Sequence, residues 1–288
     1  MAYGICNLSI VPIRTEPAHR SEQVSQLLFG ETFTITDQQN EWVKIKTSYD
    51  DYEGWMQKAQ YLPIELTTFN ELQKSPAFLS YDLVQILINH QQLFSIVLGS
   101  TLPLYRANSC RLGDVDYSFE GNARQPEINM STSVILENAF MYLNAPYLWG
   151  GRSPFGIDCS GLTQMVYKLC GIKLKRDAWM QAEQGNAVHL LDESQPGDLA
   201  FFDNEEGKII EYRSYRQGSC YVLVYMGAEV QKEVAQSKEL ETKQKANIAE
   251  QLAAKNNGKV ENKDSVIQIK ASQDSSLVAE ELKRKQII

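Results

Sequence analysis

Cys159 sits in the stretch Gly-Ile-Asp-Cys-Ser-Gly-Leu (156–162), where Asp158, Ser160 and Gly161 are residue types that suit the start of a helix. Leu162, Met165, Val166 and Leu169 follow at the i, i+3, i+4, i+7 spacing of one buried helical face. A thiol in the first turn of that helix meets unpaired backbone N–H groups and the positive end of the helix dipole. Both favour the thiolate and so make a nucleophile. Free cysteines are more often buried and inert, but the glycines and the aspartate around this one set it apart. Attack on an amide further needs a base to share the proton, a group to orient that base, and donors for the developing oxyanion. The base is the difficulty: the chain holds three histidines, His19, His90 and His189, and none after position 189.

The rest of the composition narrows the class. With 288 residues and 43% hydrophobic content, the chain can bury a sizeable core in two or three domains. The start lacks a basic segment followed by an apolar one, and no run approaches the roughly 18 apolar residues of a membrane helix; a cytoplasmic protein is expected. Cys6, Cys110, Cys159, Cys170 and Cys220 are scattered and odd in number, which argues against a disulfide framework and for a reducing compartment. No Cys-x-x-Cys spacing occurs, so no structural zinc is expected, and nothing calls for a cofactor. A net charge of −8 disfavours nucleic acid or an anionic membrane as partner, while a small zwitterionic peptide remains compatible.

Short β segments are expected first: Leu8 to Ile13, Gln26 to Leu28, Thr32 to Thr36, Trp42 to Ile45 and Gly54 to Met56, at a spacing that suits a small barrel. Phe94 to Val97, Leu102 to Tyr105 and Tyr117 to Phe119 read as further strands. From Ser131 the pattern turns helical, with Val134, Ile135, Asn138, Ala139 and Tyr142 on one face and Ala145-Pro146 ending it. The nucleophile helix follows, then an apolar strand from Asp198 to Phe202. After about Gly227 no aromatic residue remains, and the composition suits a solvated helix or disorder.

Four segments, in order, resemble the NlpC family of papain-like cysteine peptidases, which cut bacterial cell-wall peptides. Ala-Pro-Tyr-Leu-Trp-Gly-Gly-Arg (145–152) looks like the family's lead-in, and Gly-Ile-Asp-Cys-Ser-Gly-Leu like its nucleophile motif. Leu-Lys-Arg-Asp-Ala (174–178) resembles its substrate-aspartate segment, and Pro-Gly-Asp-Leu-Ala-Phe-Phe (196–202) its first core strand. Upstream, Val-Pro-Ile-Arg (11–14), Ser-Gln-Leu-Leu-Phe-Gly-Glu (25–31) and Asp-Asp-Tyr-Glu-Gly-Trp (50–55) resemble the bacterial SH3-like domains that precede NlpC catalytic domains. The resemblance implies an α+β chain: an SH3-like β-barrel over 1–65, a second, degenerate one over 66–127, an incomplete papain-like NlpC domain over 128–227, and a polar tail over 228–288.

It also implies a chemistry, hydrolysis of murein peptides at the γ-D-glutamyl–diamino acid bond. Cys159 would be the nucleophile and Tyr147 would assist the oxyanion site. Asp177, Tyr52 and Ser160 would hold the free ammonium of an N-terminal L-alanine. Simpler readings exist, Asp177 as a helix N-cap and Tyr52 as a barrel aromatic, while Gln164, Cys170 and Trp179 are assigned to packing or helix surface.

The departure from the family is the histidine. Where the family has a His-Val-Gly-Ile-like strand, this chain reads Lys-Ile-Ile-Glu-Tyr-Arg-Ser-Tyr-Arg-Gln (208–217). His189 falls ahead of Pro196 and reads as a surface residue, and His19 and His90 as structural ones. The catalytic pattern is therefore truncated after about residue 210. A frameshift near Glu211, a genuine fusion and a diverged, catalytically inactive murein-peptide-binding protein each account for that.

Overall fold

The computed structural model describes residues 2–89, 93–128, 131–186, 197–199 and 201. The chain divides into two compact units, Met1–Ala187 with Leu199–Val224 and Val188–Asp198 with Tyr225–Ile288. Only Gly197 and Asp198 of the second are described, and the architecture below is that of the first. His90, His189, Cys220, the segment 208–217 and the tail 228–288 lie outside the described residues, as do Ala200 and Phe202 of the strand expected at 198–202.

Seven strands open the chain: β1 Ala2–Ile5, β2 Ile10–Arg14, β3 Gln23–Leu28, β4 Thr32–Gln39, β5 Trp42–Thr47, β6 Glu53–Gln57 and β7 Leu62–Ile64. They pair in the order β3-β2-β6-β5-β4-β1-β7, and the described pairs are antiparallel. The alternation of buried Val11 and Ile13 with half-buried neighbours, and likewise of Val43 and Ile45, is the period-2 signal of a half-buried sheet. Those four side chains join Cys6, Leu27, Phe33 and Met56 in one apolar cluster. The barrel expected from the strand spacing is corrected to an open ladder, because β7 lies at one end and β3 at the other. Leu62 and Ile64 of β7 pack instead against a second cluster built on Phe29, Leu87, Ile96 and Phe119, so burial draws the last strand away from the first sheet's free edge.

That second cluster sits among α1 Leu66–Lys74, β8 Phe78–Ser80, β9 Val84–Ile88, β10 Leu93–Val97, β11 Thr101–Leu102, β12 Ser109–Leu112, β13 Val115–Phe119 and β14 Ala123–Arg124. Two small sheets form here, β10-β9-β13-β12 and β11-β8-β14, and neither is a closed barrel. Sequence patterning had no signal for α1, whose side chains are none of them buried.

The helical part contains α2 Thr132–Phe140, the short hairpin β15 Arg152–Ser153 and β16 Gly156–Ile157, α3 Cys159–Leu169 and α4 Ala178–Ala182. Ile135 of α2 meets Leu162, Met165, Val166 and Leu169 of α3 in a third cluster. Leu28 of β3 and Leu79 of β8 belong to the same cluster, so α3 packs on both sheet systems at once. Fully burying an aliphatic side chain of this size is worth about 1.5–3 kcal/mol, which makes this face the main apolar anchor of α3. No described helix is long and apolar enough to cross a membrane.

Candidate active site

Cys159 is the first residue of α3, and its side chain is partly exposed. Asp158 is the N-cap: its carboxylate accepts from the Gly161 N–H at 2.6 Å and, through its other oxygen, from the Gly150 N–H at 2.8 Å. One buried side chain thus closes the helix start and ties the lead-in to it, a cap of the kind worth about 1 kcal/mol. The segment 145–152 also runs beside the start of α3 through its backbone, with Tyr147 bridged to Ile157 and the Ile157 N–H bonded to the Pro146 carbonyl at 3.0 Å. Gly161 permits this approach, since a Cβ there would lie 2.2 Å from the Gly151 carbonyl oxygen.

Arg176, almost fully buried, organises the other side. Its guanidinium donates to Asp158 Oδ2 at 2.5 Å, to Ser160 Oγ at 2.8 Å and to Ser25 Oγ at 3.2 Å. Arg176 therefore touches the residue on each side of Cys159 and immediately precedes Asp177. Ser160 is 2% exposed, and its hydroxyl is directed to this buried pair and not to an open surface. Gln181 of α4 reinforces the joint by donating to the Ser160 carbonyl at 2.9 Å and accepting from Thr163 at 2.7 Å.

Asp177 occupies the N-cap position of α4, yet its carboxylate bonds to no helix N–H. It accepts instead from the Tyr52 hydroxyl at 3.3 Å. Among the described residues no cation lies within ion-pairing distance of it, because the neighbouring Arg176 is engaged with Asp158. Burial pushes the Asp177 carboxyl above the ordinary aspartate range, only partly opposed by Arg176 and the Tyr52 hydrogen bond. Burial, then the Asp177 charge, raises the Tyr52 phenol, which keeps it a hydrogen-bond donor. Both residues line an open cleft of about 660 Å³ together with Asp51, Glu53, Lys175 and Trp179. Cys159 is not among the residues lining that cleft; the link between the two is the Arg176–Ser160 bond.

The loop carrying Tyr52 is itself pinned to α3. Asp50 accepts from the Thr47 hydroxyl and, at 2.7 Å, from Gln164 Nε2, while the Tyr52 N–H donates to Thr47 Oγ1 at 2.9 Å. Gln164, expected at the helix surface or in packing, is fully buried and connects the nucleophile helix to the strand loop. A second connection is the buried carboxylate of Glu31. It accepts from Arg152 at 2.9 and 3.0 Å, from Lys168 of α3 at 2.7 Å and from the Leu28 N–H at 2.9 Å. Sequence reasoning missed Glu31, Asp50, Arg152, Lys168 and Arg176, since a charged residue carries no mark of burial. The one available sign is that Glu31, Asp50, Arg152 and Arg176 fall inside the family-like segments.

Residues 144–251 match the NlpC/P60 family and residues 13–60 the bacterial dipeptidyl-peptidase Sh3 domain. The chain carries an NlpC/P60 domain behind a bacterial SH3 domain. The NlpC/P60 match extends across 208–217 and past Gly227. The chain is 33% identical over 200 residues to a γ-D-glutamyl-L-lysine dipeptidyl-peptidase of Bacillus subtilis, covering 64% of this chain and 65% of that protein. It is 29% identical over 209 residues to dipeptidyl-peptidase 6 of Lysinibacillus sphaericus, covering 65% and 76%. The match thus falls just short of two thirds of the Bacillus subtilis relative's length. In fold, the chain is similar to the crystal structure of an NlpC/P60 family protein from Bacillus cereus, with a TM-score of 0.64 at 22% identity over 73% of this chain and 86% of that one.

Within this NlpC/P60 arrangement the four described cysteines differ in burial, with Cys6, Cys110 and Cys170 buried and Cys159 partly exposed. Burial pushes the Cys6 and Cys110 thiols up to about 12 and raises Cys170 as well, so all three stay protonated and shielded at neutral pH. Iodoacetamide at pH 7.5 is expected to label Cys159 well before those three. Peptide mapping by mass spectrometry reads the order, and labelling of Cys170 as fast as Cys159 would remove the case for an exposed nucleophile.

Proposed function

We propose that this chain is a cysteine peptidase of murein peptides, directed to the γ-D-glutamyl–diamino acid bond of a peptide with a free N-terminal L-alanine. The observation that carries it is Asp177: a half-buried carboxylate at a cleft, held by a tyrosine hydroxyl and making no ion pair among the described residues. Such a group is costly to bury unless a ligand supplies the opposite charge, and an α-ammonium does so with a charge-assisted hydrogen bond. In this reading Cys159 attacks the carbonyl carbon and Tyr147 assists the oxyanion. Tyr52 and Asp177 read the N-terminus. Ser160 serves through the buried Arg176 network, which sets the distance between the ammonium site and the thiol. The names of the relatives, which act on γ-D-glutamyl-L-lysine peptides or are dipeptidyl-peptidases, support the same bond and the same end of the peptide.

The lack of any histidine after position 189 favours a second reading, a murein-peptide-binding protein that retains the pocket and not the chemistry. Without an imidazole the leaving amine has no general acid. Incubating the full chain and Cys159→Ala with L-Ala-γ-D-Glu-diaminopimelate, with dipeptide release followed by chromatography, separates the two. Release that is lost in Cys159→Ala supports the peptidase. Binding without release supports the second reading, and neither binding nor release rejects both. Resequencing the gene around codon 211 tests the frameshift account independently, since an intact reading frame excludes it.

A further inference from the structure

A separate cavity of about 310 Å³ lies away from Cys159 and Asp177, walled by the loop before β4, the end of α1, β11 and the segment following α3. Its polar wall holds hydrogen-bond donors with capacity to spare. Lys168 is buried, its side chain only 5% exposed, and its ammonium makes one described hydrogen bond, to Glu31 at 2.7 Å, although an ammonium carries three N–H groups. The Tyr49 ring, whose centre is 5.0 Å from Lys168 Nζ, covers one further side. A second donor arises from a relay in which Gln73 Nε2 donates to Thr32 Oγ1 at 2.8 Å and Thr32 donates to Ser48 Oγ at 3.0 Å. The Ser48 hydroxyl, accepting from Thr32, retains its own proton to give.

Glu31 is the one carboxylate among the residues lining the cavity, and it takes a single N–H of Lys168. Both oxygens of Glu31 are occupied by Arg152, Lys168 and the Leu28 N–H, and one carboxylate serves two buried cations. Asp50 directs its oxygens to Thr47 and Gln164. Lys173 adds a further positive charge at the wall. The remaining surface is largely apolar, with Leu72, Leu79, Leu102, Pro103, Leu104 and Ile172. The volume falls at the lower end of the range for small-molecule sites.

We propose that this cavity is a second ligand site, which takes a small carboxylate with an apolar body: the carboxylate meets Lys168 and Ser48, and the body packs against the leucines and Ile172. The ligand shares neither charge nor residues with the ammonium site at Asp177. Burial pulls the Lys168 ammonium below the ordinary lysine range, and a bound anion offsets that cost. A free short-chain acid and the C-terminal carboxylate of an apolar peptide share this chemistry, so the probes separate them.

The test is calorimetric titration of the full chain with hexanoate, N-acetyl-L-leucine and the neutral N-acetyl-L-leucinamide. Either acid is expected to bind saturably, and at least tenfold more tightly than the amide. Stronger binding of hexanoate points to a free acid, and stronger binding of N-acetyl-L-leucine to a peptide terminus. Lys168→Met should abolish binding of both, but it also removes a partner of Glu31. Ala77→Trp therefore supplies the control. Ala77 is exposed and lines the cavity, so a larger side chain there takes up cavity space while leaving Glu31 and its hydrogen-bond partners unsubstituted. Loss of acid binding in Ala77→Trp at unchanged melting temperature, with Asp177→Asn binding the acids normally, is the expected result. Equal binding of acid and amide, acid binding retained in Ala77→Trp, or no saturable binding of either acid would overturn the proposal.

Discussion

Glu31→Gln lowers the stability of the fold by about 3–5 kcal/mol, because the substitution leaves Arg152 and Lys168 buried around a neutral amide. For a structure of this size that is a fall in melting temperature of roughly 6–20 °C, read by calorimetry or circular dichroism. The physical cause is the site's construction: one carboxylate is shared by a cation of the hairpin and a cation of α3. Lys168→Met in the Glu31→Gln background removes one of the stranded charges, so the double variant should be less destabilised than Glu31→Gln alone. Equal or greater loss in the double variant would mean that the charges are not what holds these elements together. The same carboxylate makes the fold acid-sensitive. Its folded value is held at about 2, against 4.5 as the ordinary value, because the attraction of Arg152 and Lys168 exceeds the opposing effect of burial. A depressed carboxyl stabilises fully above its unfolded value and loses that contribution as pH falls from about 4.5 towards about 2. That is roughly 3 kcal/mol at about 1.4 kcal/mol per unit, and Glu31→Gln should lose this part of its acid dependence. Burial lowers Lys168, so its charge works in the opposite sense at neutral pH and limits the net gain from the cluster.

Acetylating the N-terminal L-alanine of the peptide weakens binding by about one to two orders of magnitude. A charge-assisted hydrogen bond to Asp177 is worth about 1.5–3 kcal/mol, and acetylation removes the charge that makes it. Asp177→Asn should weaken the free-amine peptide by a similar factor and leave the acetylated one nearly unchanged, and calorimetric titration gives the four affinities. The pH profile has a sign of its own. Binding uses the ionised carboxylate, and burial raises the Asp177 carboxyl, so affinity declines on acidification from a higher pH than an exposed aspartate would give. On the alkaline side it declines as the peptide's α-amino group, near 7.7–8.0, loses its proton. Asp177→Asn should lose the acid limb and keep the fold, because it removes a charge that burial disfavours and that Arg176 only partly offsets. A parent chain that binds both peptides equally would show that the cleft does not read an N-terminus.

Local order was the legible part of the sequence. The spacing of Leu162, Met165, Val166 and Leu169 predicts α3 with its buried face, and Asp158 caps it as a residue of that type should. Strands β2, β4, β5 and β6 fall where alternation and turn residues place them, within a few residues at each end. Two of the missed strands owe their place to pairing that is not local. β1 and β7 are short, and each is held by pairing with a strand distant in sequence or with each other, which no short window reveals.

By itself the sequence determined which residues could do chemistry and in what order: a cysteine at a helix start, an aspartate downstream, a tyrosine in a strand loop and no histidine after position 189. Those follow from residue type and short-range periodicity, which act over a single turn or hairpin. Only the tertiary structure decided what each group faces. It brought Tyr52 to Asp177 across 125 positions of chain, turned the Ser160 hydroxyl inward to Arg176, and buried Glu31 between Arg152 and Lys168. The physical reason is that a charge's behaviour depends on its desolvation and its partners, both of which are set by residues far away along the chain and close only in the folded molecule.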